Sequence, residues 1–213
     1  MAANEQDFSD WGGKTEVSYD IIDPALAERL RTTLLRIEQT PATGVLPTLG
    51  HWCYFQSPAP ADLLGEDGHP QRGGFLPPIA LPRRMWAGGS LEFLSPIPIG
   101  ATLSRHSTIG SIQAKEGRSG KLVFVSITHD YWQEETKLIT ERQDLVFREA
   151  AIKGNTASAK SKTTTLPPSE ETPTPLHSQT LRGDAVTLFR FSALTFNSHR
   201  IHYDRDYAIQ VEG

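Results

Sequence analysis

After Asp23-Pro24, apolar residues recur along one helical face at Leu26, Leu30, Leu34 and Ile37, with Ala25 beside them. The pattern predicts an amphipathic helix with Asp23 at its N-cap and Pro24 in its first turn, ended by Pro41 and Gly44. Beyond Gly88-Gly89 the period falls to two. Ser90 to Leu94 reads as a short strand closed by Pro96 and Pro98, and Thr102 to Ile112 as a second one before the turn Lys115-Glu116-Gly117-Arg118-Ser119-Gly120. From Leu122 to Trp132 the residues Val123, Val125, Ile127, His129 and Tyr131 fall on one face, and Leu122, Phe124, Ser126, Thr128 and Asp130 on the other. Leu138 to Phe147 is a further strand after Glu134-Glu135-Thr136. Alternation of this kind predicts an antiparallel meander, the sheet that wraps a helix when one face is apolar.

The stretches between these elements are distinct in composition. Ser57 to Pro82 is rich in Pro and Gly, with Asp67-Gly68-His69-Pro70 and Gly73-Gly74-Phe75-Leu76-Pro77-Pro78, and reads as a long loop. Loops of that length tend to cover something. Residues 150–176 are crowded with Ser, Thr, Pro and Lys and poor in large apolar side chains, so they read as a flexible linker. Past Leu181, Asp184 is an N-cap for a helix through Val186, Phe189, Phe191 and Leu194, and Asp204 to Ala208 reads as a further helical turn. Between them lies a dense polar cluster, Asn197, Ser198, His199, Arg200 and His202, which a core segment could not bury unpaired.

Charge and composition narrow the function. With 21 Lys and Arg against 25 Asp and Glu, a net charge of −4 gives no general attraction to nucleic acid or anionic lipid. The single cysteine, Cys53, rules out an intramolecular disulfide framework, and Trp52, Tyr54 and Phe55 around it predict a buried thiol rather than a nucleophile. The first residues carry Glu5, Asp7 and Asp10 with no Lys or Arg before Lys14, unlike a signal or transit peptide, so the expected location is cytoplasmic. No apolar run is long enough to span a bilayer.

Five stretches in order along the chain carry a family resemblance: Trp11-Gly12-Gly13-Lys14-Thr15, Gly73 to Pro78, Leu81-Pro82-Arg83-Arg84-Met85-Trp86-Ala87-Gly88-Gly89, Lys115 to Gly120, and Phe191 to Tyr203. In these the chain resembles the MaoC-like double hot-dog hydratases and dehydratases of acyl thioesters, in the branch of the hydroxyacyl-thioester dehydratases type 2 and the 3-methylfumaryl-CoA or mesaconyl-CoA-type hydratases. The resemblance implies an α+β hot-dog fold, a sheet wrapped around a helix. It implies one such domain over residues 1–149 and the opening of a second over 177–213, whose remaining strands would follow Gly213 in the family. It also implies a mitochondrial setting as the alternative to the cytoplasm, an acyl-CoA or acyl-carrier-protein substrate, and a possible homodimer. Neither cofactor nor metal is expected.

Related hydratases carry Asp, then Asn two residues on, then His three beyond, and these positions fall on Asn197, His199 and His202. Transferring a proton at the α-carbon while a hydroxyl is handled at the β-carbon suits a group that titrates near neutrality, so His202 is the expected general acid/base. Asn197 has no useful basicity and is expected to position water, with His199 as a supporting or alternative base. His199 and His202, three apart, would also suit a zinc pair with Asp204 or Asp206, but no further ligands stand at metal-site spacing. Arg83 and Arg84 are candidates for a CoA or phosphopantetheine phosphate, against the plainer reading of a solvated basic pair. Gly88 and Gly89 would allow close backbone approach, or mark an ordinary turn. Arg200 pairs with a carboxylate or reaches the ligand, and Trp52, Trp86 and Trp132 are core or tunnel wall. The expected activity is hydration or dehydration of an acyl thioester. The alternatives are a non-catalytic hot-dog remnant used for dimerisation or partner binding, and a thioesterase on the same fold.

Overall fold

The computed structural model describes residues 8–34, 44–117, 120–149, 180 and 182–212. Strand β1 (Thr15–Ile21) leads into helix α1 (Pro24–Leu34). Strands β2 (Arg83–Phe93), β3 (Thr102–Gly117), β4 (Gly120–Gln133) and β5 (Thr136–Arg148) follow, then helix α2 (Ala185–Leu194) and the short α3 (Arg205–Tyr207). The strands form one five-stranded sheet in the order β1-β3-β4-β5-β2, antiparallel at every pairing. With α1 packed against it, this is the α+β hot-dog arrangement.

The predicted caps form. The Asp23 carboxylate accepts the Leu26 N–H at 2.7 Å, and Asp184 accepts the Thr187 N–H at 2.9 Å. Helix α1 buries Ala27 and Leu30 against Ile22, Tyr54, Leu103, Tyr131 and Ile139, and Phe191 and Leu194 of α2 pack onto the same cluster. A second cluster gathers Ile109, Val123, Val125, Ile127, Leu145 and Phe147 under Ile79, with Phe75, Leu76 and Leu81 closing over it. The Pro- and Gly-rich loop is therefore a lid on the far end of the sheet's apolar face. Arg72 holds that lid in shape: its guanidinium donates to the carbonyls of Ile79 at 2.5 Å, Leu81, and Pro82 at 2.7 Å. Each fully buried large apolar side chain of these clusters contributes about 1.5–3 kcal/mol.

Several expectations are corrected. Strand β2 begins at Arg83 rather than Ser90, so Gly88 and Gly89 lie inside a strand and not at the turn before one. They sit at a register shift between Trp86 and Gly88, and a Cβ on Gly89 would come within 2.6 Å of the Arg142 carbonyl on β5. Strand β3 runs on to Gly117. Strand β1, with Val17, Tyr19 and Ile21 alternating along it, was not anticipated; it completes the sheet edge beside β3. Trp86 is 51% exposed and is not a core residue. The predicted linker, the end of the first helix at Pro41, and Arg118-Ser119 lie outside the described residues. Among those described, no helix is long and apolar enough to cross a membrane.

Within the first cluster is a buried polar knot. Glu141, 3% exposed, accepts from Trp52 Nε1 at 3.0 Å, from the Tyr131 hydroxyl at 3.1 Å and from His51 Nε2 at 3.2 Å. Burial pulls the Glu141 carboxyl up, but the bonds from His51 and Trp52 prevail and hold it below the usual carboxylate range. A cavity of about 340 Å³ between residues 45–49 and 93–97 reaches His51. None of the predicted catalytic residues lines it.

Candidate active site

Helix α2 ends in a sharp reversal. The Thr195 N–H returns to the Phe191 carbonyl at 3.0 Å, the Asn197 N–H to the Ser192 carbonyl at 2.8 Å, and Phe196 between them takes a left-handed φ of 48°. A non-glycine residue held there costs about 1–2 kcal/mol, and the result is to turn the polar segment back across the molecule. The Asn197 side-chain carbonyl then accepts the His199 N–H at 3.0 Å, fixing where the first imidazole starts. A single tight turn over Arg200–His202 brings the second imidazole round, and the His199 and His202 rings meet edge-to-face with centroids 5.6 Å apart.

What the segment turns back onto is the loop at residues 65–70. Its Asp67-Gly68-His69-Pro70 stretch folds on itself through the Gly65 N–H to His69 carbonyl bond at 2.7 Å and the Gly68 N–H to Gly65 carbonyl bond at 2.9 Å. The polar segment is stitched to this loop across some 130 residues of sequence: Ser198 Oγ donates to the Gly68 carbonyl at 2.5 Å, the Arg200 N–H to the Asp67 carbonyl at 2.9 Å, and the Arg200 guanidinium to the Glu66 carbonyl at 3.2 Å. Gly68 has φ +85°, and a Cβ there would collide with the Ser198 carbonyl. Only glycine fits.

The stitching places His69 against His199, ring centroids 4.1 Å apart, while the His69 Nδ1–H donates to Asp67 Oδ2 at 2.9 Å. Burial alone would raise the Asp67 carboxyl, but the ring and backbone N–H of His69 hold it down at about 2. Burial, then the positive potential of His69, lowers His199 to about 4, and the same two causes lower His202. Asp67 is thus ionised near neutral pH and His199 is a neutral imidazole with a lone pair to offer. Asp67 and His69 are functional candidates that spacing within the 191–204 segment could not reveal, since they come from a loop that reads only as a turn. The loop's imidazole two residues from the Asp67 carboxylate was the available signal.

The arginines divide. Arg83 is buried at 6% exposure and donates to the Val211 carbonyl, so it ties down the 208–212 segment and is not a solvated cation. Arg84 is half-buried, its guanidinium lowered by burial and lying in the field of Asp67 and His199. Arg200 is paired with Asp204 at 2.6 Å. Asp204, already engaged with Arg200 and with the Tyr207 N–H at 2.9 Å, is not beside the imidazoles as a zinc ligand would be; the carboxylate that reaches them is Asp67. Asn197 and Ser198 are exposed, Gly88 is half-buried and Gly89 exposed.

The comparisons with known proteins agree with this architecture. The sequence pattern of the hydroxyacyl-thioester dehydratase type 2 family matches residues 49–213. The mesaconyl-C(4)-CoA hydratase of Chloroflexus aurantiacus is 45% identical over 208 residues, covering 97% of this chain and 71% of that protein. The mitochondrial hydroxyacyl-thioester dehydratase type 2 of Saccharomyces cerevisiae is 27% identical, covering 75% of this chain and 52% of that one, so the chain spans about half the length of the yeast relative. Among solved structures, HtdX of Mycobacterium tuberculosis superposes with a TM-score of 0.53 at 11% identity over 92% of this chain and 67% of its own, which shows a shared fold. The chain belongs to the hydroxyacyl-thioester dehydratase type 2 family of MaoC-like hot-dog proteins, hydro-lyases that add water to acyl thioesters or remove it.

Proposed function

We propose that the hydratase chemistry of this family is carried in this chain by His202 and His199 from the 197–202 segment, facing the Asp67–His69 pair of the 65–70 loop. The observation that carries this reading is the convergence of three imidazoles, two of them depressed and therefore neutral and available as bases, in one cluster. In the hydration direction His202 takes a proton from water as its oxygen bonds to the β-carbon of the enoyl thioester. The electron pair moves to the thioester oxygen, and the α-carbon then receives a proton from an imidazolium of the same cluster. Asn197 fixes the segment through the His199 N–H and orients the attacking water. By accepting the His69 Nδ1–H, Asp67 leaves the lone pair of that ring on Nε2.

The substrate class follows from Arg84. A desolvated guanidinium whose field reaches His199 suits an anionic group on the acyl end, in keeping with a carboxylated enoyl-CoA of the kind named by the Chloroflexus relative. CoA rather than a carrier protein is accordingly the proposed carrier. The domain reading goes with it: residues 1–149 form the first hot-dog unit, and α2 with the histidine segment opens the second.

The test is hydration of mesaconyl-C(4)-CoA and of crotonyl-CoA, followed by loss of the enoyl thioester absorbance. Wild type should favour the carboxylated substrate, and His202→Ala should lower kcat by about 10²–10⁴-fold. An unchanged rate in His202→Ala would remove the residue from the chemistry, and equal kcat/KM for the two substrates would remove Arg84's role.

A further inference from the structure

Asp67, His69 and His199 each point one ligand atom into a common space, all within 4.8 Å of one another. We infer that these residues form a binding site for a zinc-class divalent cation, which clips the 65–70 loop to the 197–202 segment. A tetrahedral zinc with bonds of about 2.0–2.1 Å needs donors about 3.4 Å apart. The three ligand atoms already lie within 4.8 Å of one another, so side-chain rotation, with loss of the His69–Asp67 hydrogen bond, closes them to that spacing.

The donor set selects the ion. Two imidazole nitrogens and one carboxylate oxygen suit Zn²⁺, Co²⁺ or Ni²⁺, whereas Mg²⁺ and Ca²⁺ require oxygen ligands. The Arg84 charge, whose field reaches His199, opposes a further cation and weakens its binding. The fourth coordination position is left to water. The bonds from Ser198 and Arg200 to the loop hold the two halves of the site together before any ion arrives, so little ordering entropy is lost on binding.

One consequence rests on the proposed function: an ion here takes the lone pair of His199 and reverses the local charge, so zinc and proton transfer exclude each other and zinc inhibits hydration until chelated. Binding itself is independent of that reading. The test is therefore made without substrate, by calorimetric titration of the full chain with ZnCl₂. One ion per chain is expected, weakened at least tenfold in His69→Gln and in Asp67→Asn and unchanged in His106→Gln, an exposed histidine on β3. A wild-type readout accompanies it: zinc should shield His69 and His199, but not His106, from carbethoxylation by diethyl pyrocarbonate, mapped by mass spectrometry. No saturable binding, binding unaltered in His69→Gln, or equal modification of His69 and His199 with and without zinc overturns the site, whether or not the chain hydrates any thioester.

Discussion

The contact most open to a sharp perturbation is Gly68 against Ser198. Alanine at 68 would have to hold φ +85°, which costs about 1–2 kcal/mol for an L-residue, and its Cβ would also collide with the Ser198 carbonyl. The collision is relieved only by separating the loop from the segment, which breaks the bonds from Ser198 Oγ, the Arg200 N–H and the Arg200 guanidinium. At about 0.5–1.5 kcal/mol each, most of that stitching is lost. Gly68→Ala is therefore expected to open the 197–202 segment locally while leaving the sheet intact. Moving His199 off His69 by about 1 Å should lower kcat/KM by about 100-fold. Gly13→Ala is the matched control, because Gly13 has φ +80° with nothing within 4 Å of the added methyl, so it reports backbone strain alone. The assay pairs thioester hydration with hydrogen exchange at the Arg200 amide, which should lose protection in Gly68→Ala and keep it in Gly13→Ala. Wild-type kcat/KM together with an Arg200 amide as protected as before would refute the reasoning.

The remaining predictions concern the sheet and its core. Glu141→Ala leaves the Trp52, Tyr131 and His51 donors without their acceptor at about 1–3 kcal/mol each, so the urea midpoint should fall by an amount equivalent to several kcal/mol; a loss under about 1 kcal/mol would mean that water replaces the carboxylate. His129, lowered to about 4 by burial and by Arg105, stays neutral in the native state while the unfolded chain takes up its proton near 6.5. Stability is therefore full above the unfolded value and is lost as pH falls from about 6.5 through 4, and depressed Glu141 acts in the same direction. Denaturation midpoints at a series of pH values should show this slope, and His129→Gln should flatten its upper part. Cys53, 3% exposed with its thiol pushed up to about 11 by burial, should react with a thiol reagent only after unfolding; stoichiometric labelling of the native protein would contradict its placement.

Much of the fold was legible because its signals are local. Asp23 and Asp184 announce their helices by chemistry within four residues, and the alternation through Val123, Val125, Ile127 and Tyr131 defines the buried face of β4. Gly88 and Gly89 read equally well as a close backbone approach or a turn; inside β2 there is no turn, and the close approach is that of the Arg142 carbonyl of β5 to Gly89, which leaves no room for a side chain there. Arg83 looked like a surface cation for a similar reason, since nothing near it in sequence shows that Val211 supplies an acceptor. The candidate site was half visible: Asn197, His199 and His202 share one segment, but Asp67 and His69 join them only through tertiary contact.

Two unlike forces hold that junction. Phe191 and Leu194 seat α2 against the core around α1, which sets the height and direction from which the segment leaves. This apolar seat is non-directional and tolerates a small slide. The bonds from Ser198 and Arg200 to the loop carbonyls do not, because hydrogen bonds weaken steeply once their geometry is lost. It follows that truncating Phe191 to Ala and substituting Gly68 with Ala should fail differently. The first should lower global stability by about 3–5 kcal/mol less whatever burial Phe191 lacks, with kinetics preserved in the molecules that remain folded. The second should spare the core and remove the alignment of the imidazoles.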